Sequence, residues 1–436
     1  MGSRRAEVPH ARTGHRIVCL LFVGASTTVY LLPAVPTTHR AAAYIALHLV
    51  LTTLMMAAWA TGRVTGAGGR RWTLAAGAGV RLLLVGAPAI TSQDVTRYLW
   101  DGRVTYEAGD PYRTPPDDPA LAPLRSHWPV PAGDTNHPTP YPPGALALFA
   151  LSASTGLTLA PIVWKLIVTL ASLATLRIIA QLLATGEKDH RLAFVALSPL
   201  LILEGGVGAH LDVVVAATIA AALLFAHHRP STSTGVALGT GALLKLVPAA
   251  ALVPLTFAAR GGGALRLIRG ALIVLGLGYG LAFLAGLHPL HALVEFIARW
   301  RFGSPTFPAL EQRLGEHGAR DAAGVLLLVG LALSAWMARA GHWAAGVQLA
   351  LATPLLLSPV VFPWYLAVLI PGLALVPSAA VVGWATAAPL TYEVLDRVAE
   401  GGRWEPAGWP LACVTAVLVT GLLADAVRAR RFLRKR

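Results

Sequence analysis

The sequence predicts an all-α polytopic membrane protein, and three observations predict it. Of its 436 residues 55% are hydrophobic and only 13% charged, roughly half the charged share of an average soluble domain. Apolar stretches of roughly 17 to 25 residues, each long enough to cross a ~30 Å hydrocarbon core as a helix, recur along nearly the whole chain. The basic residues gather in short segments between those stretches, so the net charge of +14 reads as an orientation signal and no nucleic-acid partner is expected. Helices are required because backbone polar groups find no water in lipid.

Spans are expected at about residues 17–36, 41–61, 72–90, 161–185, 192–208, 211–227, 234–246, 247–259, 270–287, 321–340, 343–358, 364–377, 378–396 and 409–427. The first apolar run, Ile17 to Val35, is too long for a signal h-region and is followed closely by another, so it reads as a retained span. The next two are separated by a basic segment holding Arg63, Arg70 and Arg71. The pairs around Gly239–Pro254 and Pro359–Pro371 are short and interrupted. The result is a single membrane domain over 1–436, a bundle of about eleven to fourteen helices. The two cysteines, Cys19 and Cys413, both lie in apolar runs, which argues against a disulfide framework or a cysteine metal site.

With a cytoplasmic amino terminus, 20 of the 35 basic residues fall inside, 11 outside and four within spans. The inside set runs from Arg4, Arg5, Arg12 and Arg16 to the terminal Arg434, Lys435 and Arg436. The positive-inside rule favours this orientation, with both termini cytoplasmic. Two outer segments are long, 91–141 (with an apolar extension to about 160) and 288–320, and the first holds seven of the 21 acidic residues. Long loops on a rigid scaffold are where function usually sits. Pro142–Leu159 is expected to be an interfacial or re-entrant helix within that 91–160 loop, because a full span there would put the basic segment "GEKDHR" outside.

The sharpest local pattern is "TSQDVTRYLWDGRVTYEAGDPYRTPPDD". Asp94, Arg97, Tyr98 and Asp101 recur at spacings of three and four, so one face of a short helix at the membrane surface carries two carboxylates and a cation. An ordinary interfacial helix with Tyr98 and Trp100 in an aromatic belt explains the same letters. Asp94 comes first after the third span, and Arg97, one turn away, is expected to hold it ionised. Farther on, "HPTPYPPG" marks ordered turns, with Tyr112 and Tyr141 each beside proline.

Polar groups in or near spans are functional candidates by default. His210 and Asp212 in "GGVGAHLDVVVAA" sit at an outer junction, at the same face as Asp94, with Glu204 shortly before them. A substrate contact and a structural polar cap both fit, and His-x-Asp alone is a weak metal signal. Lys245, at a span end broken by Pro248, suits a phosphate as a point charge, though snorkelling explains it too. Arg299 and Arg301 open the second outer loop, and "SPVVFPWYLAVLIP" puts Trp364 and Tyr365 at another outer boundary. Arginine forks grip phosphate, while belt residues and loop cations account for the same residues. Lys165, Arg177 and Arg81 lie at membrane depth and are assigned no chemistry. There is no Walker motif, dinucleotide glycine fingerprint, His-Glu-x-x-His or inverted repeat of broken helices.

The segments "DVTRYLWDGRVTYEAGDPY", "YPP", "HLD" and "FPWYLAVLIP" resemble the GT-C superfamily of integral membrane glycosyltransferases, in particular bacterial polyprenol-phosphate-mannose-dependent mannosyltransferases. The resemblance covers Asp94 to about Pro371. It implies a polyprenyl-phosphate-sugar donor, transfer of a hexose, namely mannose, to a glycolipid or glycan acceptor, and an active site on the outer face of a bacterial plasma membrane. It makes Asp94 the general base, with Asp101 as helper or structural partner. Lys245, Arg299 or Arg301 then stabilise the departing phosphate, and Arg97, Tyr98, Tyr141, His210, Asp212, Trp364 and Tyr365 contact substrate. The sequence departs in having three spans before the catalytic loop where the familiar architecture has one, and no Asp-x-Asp at Asp94, so a divalent metal is not implied. A transporter or flippase of lipid-linked intermediates would need the same cations but no positioned base, and a structural subunit of an envelope complex would need neither.

Overall fold

A computed structural model describes residues 9–107, 109–133, 135–184, 188–289 and 300–433. Arg299, Arg4, Arg5, Arg434, Lys435 and Arg436 lie outside the described residues. The protein is a bundle of helices. Among the described residues seven are long and apolar enough to cross a membrane and four more are shorter apolar helices. Among the described residues extended pairing is confined to isolated bridges from Phe302 and Gly303 to Val360.

Two long helices are broken by a glycine in the left-handed region. Thr37–Leu83 has 47 residues, about 70 Å at 1.5 Å per residue and more than twice a bilayer core. Gly66, at φ 53° and ψ −139°, turns it where the basic segment was expected, so it is the second and third predicted spans in one run. Only glycine adopts such a backbone cheaply. Gly315 (φ 70°) does the same in Phe307–Arg339.

The expected span at 192–208 is interrupted. A single turn at Ala193–Ala196 gives way to Pro199–Gly206. Pro199 has no N–H, so the carbonyl of Val195 has no helical donor. Arg81, buried at 3% exposure, supplies it: its guanidinium donates to Val195 (2.9 Å), Ala196 (2.7 Å), Gly77 (2.8 Å) and the Ser172 hydroxyl (2.7 Å). A membrane-depth arginine is thus a backbone cap, consistent with its having no assigned chemistry.

At the expected span 364–377 the chain forms a 3-10 helix, Pro363–Ala374, with Pro371 inside it unable to donate. Gln348 Nε2 donates to the Leu369 carbonyl (3.1 Å). Most of this segment is buried.

The loop after the third span is ordered by two short helices lying against each other. In Asp94–Tyr106, a Cβ on Gly102 would meet the Phe149 carbonyl at 2.3 Å, and in Pro143–Ala153 one on Gly144 would meet Leu243 at 2.8 Å. Both contacts need glycine. Pro143–Ala153 has 11 residues, about 16 Å, and cannot span, in keeping with an interfacial or re-entrant helix.

Segments expected on one side gather at one end of the bundle. Arg70 pairs with Asp189 (2.5 Å) and Arg191 donates to the Leu375 carbonyl (2.7 Å). At the other end Asp396 accepts from the amides of Ala41 (2.7 Å) and Ala42 (2.9 Å).

Candidate functional site

Asp94 opens its helix, where a carboxylate is favoured by the exposed amides. Its side chain is 29% exposed, while Tyr98, His210 and Glu204 are buried. Tyr98, one turn on, donates its hydroxyl to Asp94 Oδ2 (3.1 Å). Tyr98 is held by stacking on Phe149 (centroids 4.5 Å, planes 7° apart) and by edge contacts with Tyr141 and Trp164, both at 5.3 Å.

His210 approaches from the turn between Pro199–Gly206 and Leu211–His228. Its Nδ1 lies 3.3 Å from Asp94 Oδ2 and its Nε2 3.4 Å from Glu204 Oε2. These are ion-pair distances, and neither ring nitrogen has an aligned hydrogen bond. Trp364 stacks flat on the imidazole (3.9 Å, 7°) and on Phe362 (4.5 Å, 2°). The Phe362 segment is pinned by Phe302, whose amide donates to the Pro359 carbonyl (3.1 Å) and whose carbonyl accepts from Val361 (2.7 Å).

Lys245 donates to Asp212 Oδ1 (2.6 Å) with its ammonium 3.4 Å above the centre of the Tyr365 ring. Burial raises the Asp94 carboxyl, but the His210 imidazole, the Tyr98 hydroxyl and the Lys245 charge outweigh it and hold Asp94 below the usual carboxylate range. Burial and the Asp94 charge push the Tyr98 hydroxyl well above its ordinary value. It therefore remains a donor.

Asp94, Tyr98, Tyr141, His210, Asp212, Lys245, Trp364 and Tyr365 therefore lie in one cluster assembled from five segments. Several expectations are corrected. Arg97 does not pair with Asp94: its Nε reaches Asp101 Oδ1 (2.9 Å) and Oδ2 (3.0 Å), and its Nη2 the His137 carbonyl (2.8 Å). With partners four positions apart, the helix makes two separate pairs, Asp94 with Tyr98 and Arg97 with Asp101. Asp101, 1% exposed, holds Arg97, which in turn ties the loop helix to the "HPTPYPPG" segment. Lys245 is not a lone point charge but half of an ion pair. Arg301 is neutralised within its own loop by Glu311 and Glu316, each at 3.1 Å.

The site also contains Glu204, which the sequence placed shortly before His210 without a role, and two tyrosines that sequence reasoning missed. Glu204, fully buried, accepts from Tyr392 (2.9 Å) and Tyr44 (3.2 Å). A lone carboxylate in "PLLILEGG" was its signal. The two tyrosines gave none, since at span ends they read as belt residues. Asp94, His210 and Glu204 lie in a string with the imidazole between the carboxylates, and among the described residues no three His, Cys, Asp or Glu side chains gather as metal ligands.

Residues 19–260 match the family model of alpha-(1->6)-mannopyranosyltransferase, N-terminal domain, which is more than half of the chain and includes Asp94, His210, Asp212 and Lys245. The chain belongs to that family. This mannosyltransferase is an integral membrane enzyme of the GT-C type, as the motifs around Asp94 led one to expect. No curated protein and no solved structure matches it. The matched region stops at residue 260, so Trp364, Tyr365 and Tyr392 of the mannosyltransferase's cluster lie beyond it.

Proposed function

We propose that the mannosyltransferase moves mannose from a polyprenyl-phosphate carrier to a glycan or glycolipid hydroxyl at the non-cytoplasmic face, forming an α-1,6 linkage. The observation that carries this reading is the partly exposed Asp94 beside the half-buried Lys245–Asp212 ion pair. A general base and a phosphate-facing cation are what this displacement needs. Asp94 takes the proton of the acceptor hydroxyl as its oxygen bonds to the anomeric carbon. The bond from that carbon to the carrier phosphate breaks, and the phosphate leaves with the electron pair beside Lys245. Asp212 and the Tyr365 face hold the ammonium in position, and the flat faces of Trp364 and Tyr141 suit a sugar ring. A flippase would have no use for a carboxylate oriented by a tyrosine and a histidine.

The test is to incubate purified protein with polyprenyl-phospho-mannose and with α-mannoside or envelope glycolipid acceptors, and to identify the product and its linkage. A new α-1,6 mannosyl linkage is expected. Turnover only with nucleotide sugars, or carrier movement between vesicle leaflets without transfer, would overturn the reading.

A further inference from the structure

Glu204 is a costly residue in its place. A carboxylate with 0% exposure gives up its hydration, and apolar residues of similar volume usually do as well structurally. The fold nevertheless builds a dedicated holder for it. Tyr44 and Tyr392 donate to it from opposite parts of the chain. The His210 amide donates to the Glu204 carbonyl (2.9 Å), closing the turn that carries both.

The same turn is shaped for the His210 ring. Ala209 has φ 48°, and no other non-glycine among the described residues has a positive φ. A β-carbon there crowds the following carbonyl oxygen and strains the backbone. The turn is held in that form by Trp164, whose indole donates to the Ala209 carbonyl (2.8 Å), and by Lys165, which donates to the carbonyls of Gly206 (3.0 Å) and Ala87. A Cβ on Gly208 would lie 2.3 Å from the His210 ring and 3.1 Å from Glu204 Oε2, so glycine clears the space in which the two side chains meet. Strain, clearance and clamps all serve one placement, that of an imidazole with one nitrogen toward Glu204 and the other toward Asp94.

We propose that His210 is the positioning residue of the catalytic carboxylate, with Glu204 holding His210, so that the working unit is an Asp94–His210–Glu204 string anchored by Tyr44 and Tyr392. This rests on the reading of Asp94 as the base. The imidazole offers Nδ1 to Asp94 and fixes which carboxylate oxygen turns toward the acceptor hydroxyl. Contacts of this kind are often long before substrate binds and tighten in the reacting complex.

The test uses His210→Phe, which keeps a ring to stack on Trp364 but has no nitrogen, Glu204→Gln, which keeps the shape and the tyrosine contacts, and Glu204→Asp as the conservative variant. In single-turnover transfer from polyprenyl-phospho-mannose, His210→Phe and Glu204→Gln are expected to lose about 10²-fold in rate, within the range for general-base catalysis. Donor KM stays within twofold, the acid limb of the rate profile moves upward in pH, and Glu204→Asp recovers part of the rate. Asp94 also faces Tyr98, Tyr141, Asp212, Lys245, Tyr365 and Tyr392, all unchanged in these variants. A second measurement needs no substrate: the infrared carboxyl band that Asp94→Asn removes should titrate at higher pH in His210→Phe than in the parent. Folded variants with parental rate and profile, or a loss confined to donor KM, would refute the string. If the parent transfers nothing while the infrared shift is present, the functional reading fails and the positioning of Asp94 by His210 stands.

Discussion

At the scale of single residues the decisive comparison is between Asp94 and Asp101, two carboxylates on one helix. Asp94→Asn keeps size and loses the base, so it should lower transfer on the order of 10²–10⁴-fold. Asp101→Asn weakens the staple to Arg97 and should cost less, chiefly in thermal stability. Transfer measured on variants that insert and elute normally decides it, and near-normal turnover by Asp94→Asn would end the assignment. The pH response follows from the same environment. Asp94 is held below the usual carboxylate range, so it stays charged throughout neutral and mildly acidic pH. Its contribution is complete above the ordinary value of about 3.9 and is lost as pH falls through its lower folded value. The rate should therefore stay flat from pH ~7 to ~5 where Asp94 governs it, whereas an acid limb centred near neutrality would assign the base to another group. The candidate carboxylate was legible because spacing and the end of a span single it out. Its partner was not: His210 joins it only through a tertiary contact, and i, i+3 spacing pointed to Arg97, which the helix had already committed to Asp101.

Between elements, the loop helix is seated by a missing side chain. A methyl group on Gly102 would fall 2.3 Å from the Phe149 backbone, and backbone cannot move aside as a side-chain tip can. Gly102→Ala should therefore push Asp94–Tyr106 off Pro143–Ala153, at a cost of about 1–3 kcal/mol for overpacking. Lower thermal stability, faster proteolysis within 109–133 and reduced transfer are expected together; a variant that melts and turns over like the parent would show that the two helices are not seated this way. Helix existence was legible from the apolar runs, and the short helix after Pro142 was legible from its prolines and the charge of the next loop. The 3-10 form of Pro363–Ala374 was not read, although Pro371 inside an apolar run was the clue. Nor was the rescue of the Val195 carbonyl by Arg81, since the missing donor at Pro199 and the arginine are far apart in sequence.

For the whole molecule the testable quantity is sidedness. The arginine distribution predicts cytoplasmic termini and an outer loop at 91–141, so a cysteine probe at Asp118 should react with an impermeant reagent in intact cells, and one beside Arg434 should not. Labelling at Arg434 alone would invert the topology and move the site to the other leaflet. The bundle as a whole was legible because bilayer thickness dictates run length. Its layering was not: the apolar windows of Leu211–His228 and Ala160–Leu183 are 56% and 50% buried, those of Gly263–Leu284 and Phe307–Arg339 only 22% and 17%, and all four read as equally apolar. Glu204 adds a consequence that concerns time. Its two hydroxyl donors, Tyr44 and Tyr392, come from near the two ends of the chain, and Tyr392 follows it by 188 residues. At ~5–20 residues per second, the ribosome supplies the second donor roughly 10–40 seconds after Glu204 is made. During that interval the nascent chain carries a carboxylate with half its holder, and a product terminated before Tyr392 carries it permanently. Such fragments should be the ones that membrane quality control removes fastest.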